Sequence, residues 1–346
     1  MSKSIASTLG LCIALGLAST GCSETEEPLP PPATTVRMGF SAWPGWFPWQ
    51  IAEEQGLFEQ TGAMVELTYY DNYTASIDDL ANGSLDANSQ TLNDTLFSVA
   101  NGDDQVIVLV NDNSTGNDQC IAREGIANLR DLSGKTVAVE FGVVDHFLLL
   151  LALRRAGVDP ATVTIIDEPT DVAAANFAAG MYDATCVFAP FTTVALERPG
   201  SFPITTSATF PGAIPDYLVV SRELADDFPG DVKALVDTWW LVRDFMEANP
   251  EQAVEIMAAR AGVSVPEYET YASGTTLFTL EQNLEALGPP PGTCAELGPD
   301  AGRYTKCVSA EIGAFLQQDA KLIDAPIPDD VIARTFTDRF VRYSAQ

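Results

Sequence analysis

From Val36 to Phe188, short apolar runs of strand character alternate with stretches of helical period. That alternation restricts the chain to an α/β architecture. VRMGFS (36–41), VELTYY (65–70) and QVIVLV (105–110) read as strands, and PWQIAEEQ (48–55), ASIDDLAN (75–82) and LFSVAN (96–101) read as helices. Pro48 suits a first helical turn, and Thr91 or Asn93 suits a cap. NDNSTGND (111–118) then interrupts the pattern with turn formers. The alternation resumes with QCIARE (119–124), TVAVEF (136–141), a helix over 145–156, VTIID (163–167), a helix over 171–179 and ATCVF (184–188). Beyond PGAIPDYLVVSREL (211–224) the chain reads as helical almost to its end. Strands alternating with helices predict mostly parallel sheets. The break predicts two lobes: residues 36–113 with 216–346, which carry the helical C-terminal part, and residues 114–215.

Two lobes joined by short extended crossings leave a cleft with a hinge. Ligands of open α/β sheets sit beyond the carboxyl ends of strands, beside helix N-termini. That rule selects loops 42–47, 71–75, 89–94, 142–146, 189–193 and 213–216. They offer aromatic surface at Trp43, Tyr70, Phe141, Phe188 and Phe191, and polar groups at Thr91, Asn93, Asp94, Asp145 and Asp216. Aromatic walls with a few polar groups are the usual build of a small-molecule cleft. None of these loops holds Lys or Arg, so the side chains favour a neutral or cationic ligand. In SAWPGWFPW (41–49), Trp43 reads as a binding wall and Trp49 as core, while Trp46 either packs under the loop or caps the cleft edge.

Catalysis is hard to assemble from this sequence. It has one histidine, which rules out a metal site of several imidazoles, and no nucleophile elbow, P-loop or dinucleotide fingerprint. His146 is either a cleft-lining polar residue or a satisfied structural one. An Asp145–His146 dyad is disfavoured, because adjacent helix positions do not face each other. No cofactor is expected. A formal charge of −30, spread along the chain, argues against a nucleic-acid partner and suits a salty or extracellular setting.

The first 22 residues read as a signal peptide: one lysine, an apolar stretch from Ile5 to Leu17, then small residues ending at Gly21-Cys22. Cleavage before Cys22 would leave a cysteine for lipidation, as in bacterial lipoproteins, although Ser19 stands where such signals usually carry Leu. The alternative is ordinary cleavage releasing a soluble protein. Residues 23–35, acidic and then proline-rich, read as a semi-extended tether. An exported chain makes disulfides of the remaining cysteines plausible chemistry: Cys294 with Cys307 around a Gly/Pro-containing loop, and Cys120 with Cys186 either bridged or as buried thiols.

WPGWFPWQIAEEQGLFEQTG (43–62), SLDANSQTLNDTL (84–96), NLRDLSGKTVAVEFGVVDHFLL (128–149) and MYDATCVFAP (181–190) resemble the substrate-binding proteins of ABC importers in the nitrate, sulfonate, taurine and pyrimidine-precursor group. NPEQAVEIMA (249–258) and GTTLFTLEQN (274–283) extend the likeness. The resemblance implies a type II periplasmic binding protein, an α/β fold of two Rossmann-like lobes on a two-strand hinge, working as a monomer with a permease and ATPase complex. It implies ligand-lining positions at Trp43, Tyr70, Asp71, Thr91, Asn93, Asp94, Val144, Asp145, His146, Ala189 and Phe191. Relatives often carry Glu before the proline at 190, where this chain has Ala189, and the loop Gly288–Lys306 has no counterpart. The enzyme branch of this fold that makes the thiamin pyrimidine carries a cysteine-rich motif that this sequence lacks. A sulfonate or taurine binder, or a sensory or adhesive surface lipoprotein, are the alternatives to import of a nitrogenous ligand.

Overall fold

The computed structural model describes residues 28–318 and 320–346; the expected signal segment, Cys22 and the start of the tether lie outside them. Eleven strands are formed by the described residues: β1 (Thr35–Ser41), β2 (Met64–Tyr70), β3 (Ala87–Thr91), β4 (Gln105–Ser114), β5 (Asp118–Ala122), β6 (Thr136–Val139), β7 (Thr164–Asp167), β8 (Ala184–Phe188), β9 (Phe202–Thr206), β10 (Pro215–Ser221) and β11 (Thr275–Leu277). They make two sheets, ordered β11-β4-β10-β3-β1-β2 and β7-β6-β8-β5-β9.

Both sheets are mixed, which corrects the expectation of mostly parallel ones. β1 runs parallel to β2 and β3, and β6 parallel to β7 and β8. β10 is antiparallel to β3 and β4, and β5 to β8 and β9. The reason is the crossing itself. β4 leaves the first sheet and feeds β5, so the chain enters the second sheet, and later returns through β10, against the direction of its neighbours.

Two strands carry polar residues where the sequence reads as loop. β4 continues through Asn111–Ser114 and is buried along its whole length, so most of the supposed turn is strand. β3, ANSQT, has no apolar alternation yet is fully buried. Its amide donors are used within the strand and on neighbouring elements: the Asn88 amide donates to Ser76 Oγ and Gln90 Oε1, and the Gln90 amide to Thr95 Oγ1 and Gln105 Oε1, while Asn88 Oδ1 and Gln105 Nε2 find no partner. Buried polar groups are tolerated when paired in this way.

Helices cover the first sheet and bury the largest side chains. Trp49 is fully buried, stacked on Phe58 at 6.2 Å and against Trp239 at 4.9 Å, with Nε1 donating to Ser89 Oγ. The second sheet packs Ile121, Ala138 and Val187 against Ala173, Ala174 and Phe177. Its central strands β5 and β8 are joined by Cys120–Cys186, which are direct cross-strand partners with Cα atoms 3.9 Å apart. Cys294 and Cys307 are also bonded. Among the described residues no helix is long and apolar enough to cross a membrane.

Two segments depart from their expected places. Residues 30–34, read as the end of the tether, dock on the helix Pro229–Ala248. Ala33 and Thr34 donate backbone N–H groups to the Asp231 carboxylate, and a Cβ on Gly230 would meet Pro30 O at 2.0 Å. The C-terminal helices, part of the first lobe, also touch the second. In the helix Thr305–Gln318, Phe315 meets Phe147 of the helix Val144–Ala156 edge-on at 5.0 Å, and the Arg154 guanidinium lies over its ring.

Candidate functional site

The loop after β1 turns sharply at Pro44-Gly45 and starts a helix at Pro48. Gly45 is required there by contact rather than by its φ: a Cβ would fall 1.7 Å from Asp112 Oδ2. The backbone therefore passes directly over the polar end of β4, and Trp43 Nε1 donates to Asp112 Oδ1 at 3.0 Å. Asp112 is the cross-strand partner of Asp216 on β10. Asp118 opens β5 where the chain enters the second sheet.

Between the sheets Trp43, Asp118 and Asp216 line a cavity of about 10 Å³ together with Trp46, Tyr73, Thr91, Val144, Phe188 and Ile214, and Asp112 stands behind that wall, bonded to Trp43. The aromatic wall comes from both lobes. Phe188, at the end of β8, meets Trp43 at 6.3 Å and Tyr73 at 6.4 Å, while Trp46 meets Tyr73 at 5.2 Å. A second cavity of about 10 Å³ adjoins it, lined by Ser41, Asp71, Asn72, Glu140, Thr170 and Phe191 among others. Glu140 ties the lobes there, accepting from Thr74 on one side and from the Thr170 N–H and hydroxyl on the other.

The electrostatics of the site are one-signed. Asp94, Asp112, Asp118 and Asp216 are all buried, and no Lys or Arg lines either cavity. Burial pushes Asp94, Asp112 and Asp118 up to about 7, against the hydrogen bonds that Asp94 receives from Thr91 and Tyr73 and that Asp112 receives from Trp43. Asp216 is driven well above the carboxylate range by burial and then by its neighbours Asp112 and Asp118. Asp112 and Asp216 hydrogen-bond each other, which puts a proton on one of the two; no other N–H or O–H of the described residues reaches Oδ2 of Asp112, Asp118 or Asp216, and the buried Trp46 Nε1 finds no acceptor. Unsatisfied buried carboxylates are costly, so the site either holds protons or receives a cation. Arg243, the positive side chain acting on Asp112, is itself bonded to Phe278 O. No group of three or more His, Cys, Asp or Glu among the described residues is arranged to hold a metal ion.

The sequence-selected residues divide under this geometry. Trp43, Thr91, Val144 and Asp216 line the first cavity, and Asp71 and Phe191 the second. Asp94 lies one contact behind, accepting from Tyr73 Oη at 2.8 Å and Thr91 Oγ1 at 2.7 Å. Asn93 donates to Asp94 Oδ1. The others fall on neither cavity's wall. Tyr70 turns to Asp79, to which it donates at 2.6 Å. Asp145 accepts the Glu140 and His146 N–H groups at its helix start. His146 accepts the Gly142 N–H at Nδ1 and stacks on Phe141, and burial lowers its pKa to about 4. Ala189 is buried, its N–H donated to Asn117 O.

Sequence reasoning missed Tyr73, Asp112 and Asp118. For Asp112 the available signal was the strand QVIVLVNDNS, whose second half turns polar without a break in its length. Trp46, left open between two roles, stands on the cavity wall.

Comparison with known proteins gives a consistent picture. A family model described as the NMT1-like family matches residues 29–261. A protein of Brucella abortus (strain 2308) named as a binding protein is 30% identical over 253 residues, 71% of this chain and 78% of the relative. The taurine-binding periplasmic protein of Escherichia coli (strain K12) is 26% identical over 70% of this chain and 78% of its own. Among solved structures, the periplasmic aliphatic sulphonate-binding protein SsuA of Escherichia coli superposes with a TM-score of 0.69 at 20% identity, covering 88% of this chain and 92% of that one. The periplasmic nitrate-binding protein NrtA of Synechocystis PCC 6803 gives a TM-score of 0.71 at 15% identity, over 92% and 90% of the two chains. These likenesses assign the periplasmic-binding-protein fold.

Proposed function

The chain belongs to the NMT1-like family, and on that premise we propose that it is an extracytoplasmic solute-binding protein. It captures a small organic molecule between its lobes and delivers it to an ABC importer. Residues 35–114 with 215–346 form one lobe and 118–206 the other, and they move about the crossings at 115–117 and 207–214. A lipid on Cys22 holds the protein at a membrane, and it works as a monomer. The role is binding rather than catalysis.

The ligand is a nitrogenous cation or a neutral nitrogen compound that donates hydrogen bonds. The observation that carries this reading is the pair of buried aspartates on the cavity wall, Asp118 and Asp216, with Asp112 behind them sharing a proton with Asp216, beside Trp43, Trp46, Tyr73 and Phe188 and with no other donor at their Oδ2 atoms. Aromatic faces and carboxylates both attract a cation, and the latter accept its N–H groups. A sulfonate, the ligand class in the names of the taurine-binding relative and of SsuA, would meet these carboxylates with no lining Lys or Arg to offset them. A cavity of about 10 Å³ also means that an organic ligand is admitted by parting of the lobes.

The test is a thermal-shift and calorimetric panel of amines, nitrogen heterocycles, taurine and alkanesulfonates. A ligand at a hundred times its Kd stabilises by about 2.7 kcal/mol. Tight binding of a nitrogenous compound is expected; tight binding of taurine or a sulfonate alone would refute the assignment. Transport is tested by deletion, which is expected to abolish uptake of the compound identified.

A further inference from the structure

The helix Val144–Ala156 of the second lobe connects the ligand cavity, the C-terminal segment and a crossing. Val144 lines the cavity between the lobes. Phe147, one turn on and on the same side of the helix, meets Phe315 of the first lobe's helix Thr305–Gln318 edge-on, with ring centres 5.0 Å apart. Arg154 sets its guanidinium 5.1 Å from the centre of that same ring. Arg155 donates to Thr209 O at 3.1 Å and lies over the Phe210 ring, both in the crossing back to the first sheet. Phe315 is 2% exposed, so a side chain anchored in one lobe is buried against partners from the other.

The segment that carries Phe315 is fastened to the first lobe. Cys294–Cys307 closes it into a loop, Arg303 donates to Glu285 of the helix Leu280–Leu287 at 2.7 Å, and the Thr305 and Tyr217 hydroxyls bond at 3.2 Å. Residues 294–318 lie beyond the stretch that matches the family model, 29–261. Where the segment passes the crossing its packing is loose. Phe147, Leu151, Gly212, Ile312 and Phe315 border a gap of about 80 Å³, although protein interiors hold few voids larger than a water molecule. Gly212 meets Gly302 with no side chain on either, and a Cβ on Gly212 would stand 3.0 Å from Gly302 O. Two rings in contact beside a void and a pair of glycines make a joint that can part without disturbing the core of either lobe.

We propose that residues 294–318 are a strap that holds the two lobes closed in the absence of ligand, with Phe315 as its catch. This rests on the solute-binding reading only in that the lobes part. Val144 and Phe147 share one helix, so moving that helix away from the cavity to admit a ligand draws Phe147 off Phe315. A cavity of about 10 Å³ has no room for an organic molecule, so the strap sets the fraction of molecules open to one, whatever that molecule is.

The test is a distance across the cleft mouth in the ligand-free full chain. Ala75 and Val172 are exposed and flank the bridge from Thr74 through Glu140 to Thr170. Each is replaced by a ketone-bearing amino acid and spin-labelled, which leaves every cysteine alone, and the pair is read by double electron–electron resonance. A predominantly short distance is expected with the strap intact. Phe315→Ala is expected to add a longer one and to raise the open-to-closed ratio about two- to tenfold, the worth of an edge-on aromatic pair. Phe147→Leu, made in the other lobe, does the same should the first variant fail to fold, and combining the two adds little because both break one contact. Cys294→Ser with Cys307→Ser unpins the strap and is expected to shift the ratio in the same direction. Variants that melt earlier but keep the short distance, or a parent protein already as open as its variants, would overturn the strap. Neither result touches the solute-binding reading, whose failure shows instead as no binding across the calorimetric panel.

Discussion

Trp43 and Trp49 enter the same loop and meet different chemistry. Both are buried and both donate a hydrogen bond, but Trp49 donates to a serine inside a hydrophobic stack and Trp43 to an aspartate at the cleft. The sequence predicts the division and understates Trp43, which is 3% exposed and structural as well as lining. Trp49→Ala is expected to cost about 3–5 kcal/mol in chemical denaturation, as for other buried tryptophans. Trp43→Phe keeps the ring and removes the N–H, so it is expected to push the Asp112 pKa further up and to weaken cation binding at neutral pH while changing the unfolding midpoint little. Asp118→Asn tests the charge directly. Losing a charge-assisted hydrogen bond of about 1.5–3 kcal/mol is a loss of roughly ten- to a hundredfold in affinity for a cationic ligand by calorimetry. A neutral ligand would lose far less, which separates the two branches of the proposed ligand class.

At the level of elements, what was legible follows from how burial is written in sequence. Apolar strands such as QVIVLV and ATCVF, and helices with clear period, declare themselves because their partners are apolar. β3 and the polar end of β4 do not, since a run such as ANSQT or NDNS has the composition of a loop until its hydrogen-bond partners are known. Those partners include Ser76 and Gln105, 12 and 15 residues away on other elements. The same blindness hid Asp112 and Asp118, and it favoured Tyr70 over Tyr73, whose ring the helix start carries into the cleft. Disulfides act at this scale too. Cys120–Cys186 joins strands 66 residues apart, and the chain-entropy model gives it about 4 kcal/mol; Cys294–Cys307, separated by 13, is given about 3 kcal/mol. Replacing the first pair by serine is expected to lower the melting temperature of the second sheet's lobe. Replacing the second is expected to raise hydrogen exchange around residues 294–308 and leave the sheets protected.

For the whole molecule, the buried carboxyls set an unusual pH response. Asp94 and Asp118 titrate near 7 when folded and near 4 when unfolded. The stability that their protonated forms contribute is complete below about 4 and is lost as pH rises through 7. His146, held down at about 4 against an unfolded value near 6.5, acts in the opposite direction, and its effect is complete above 6.5. Between about pH 6.5 and 8 the carboxyls therefore dominate, and the ligand-free protein is expected to melt at a lower temperature at pH 8. A cationic ligand replaces protons, so its affinity is expected to rise across the same range by up to about tenfold per pH unit. Melting temperatures that climb with pH would show that the aspartates titrate normally. The N-terminal docking adds a mechanical reading to this. Because Ala33 and Thr34 are fastened to Asp231, any pull on the chain upstream enters the fold through the helix Pro229–Ala248. Under the proposed lipid anchor and importer, the lobe bearing that helix would be the grounded jaw and the lobe of β5 to β9 the swinging one, so that a permease would meet one half at a fixed bearing and sense the ligand through the other.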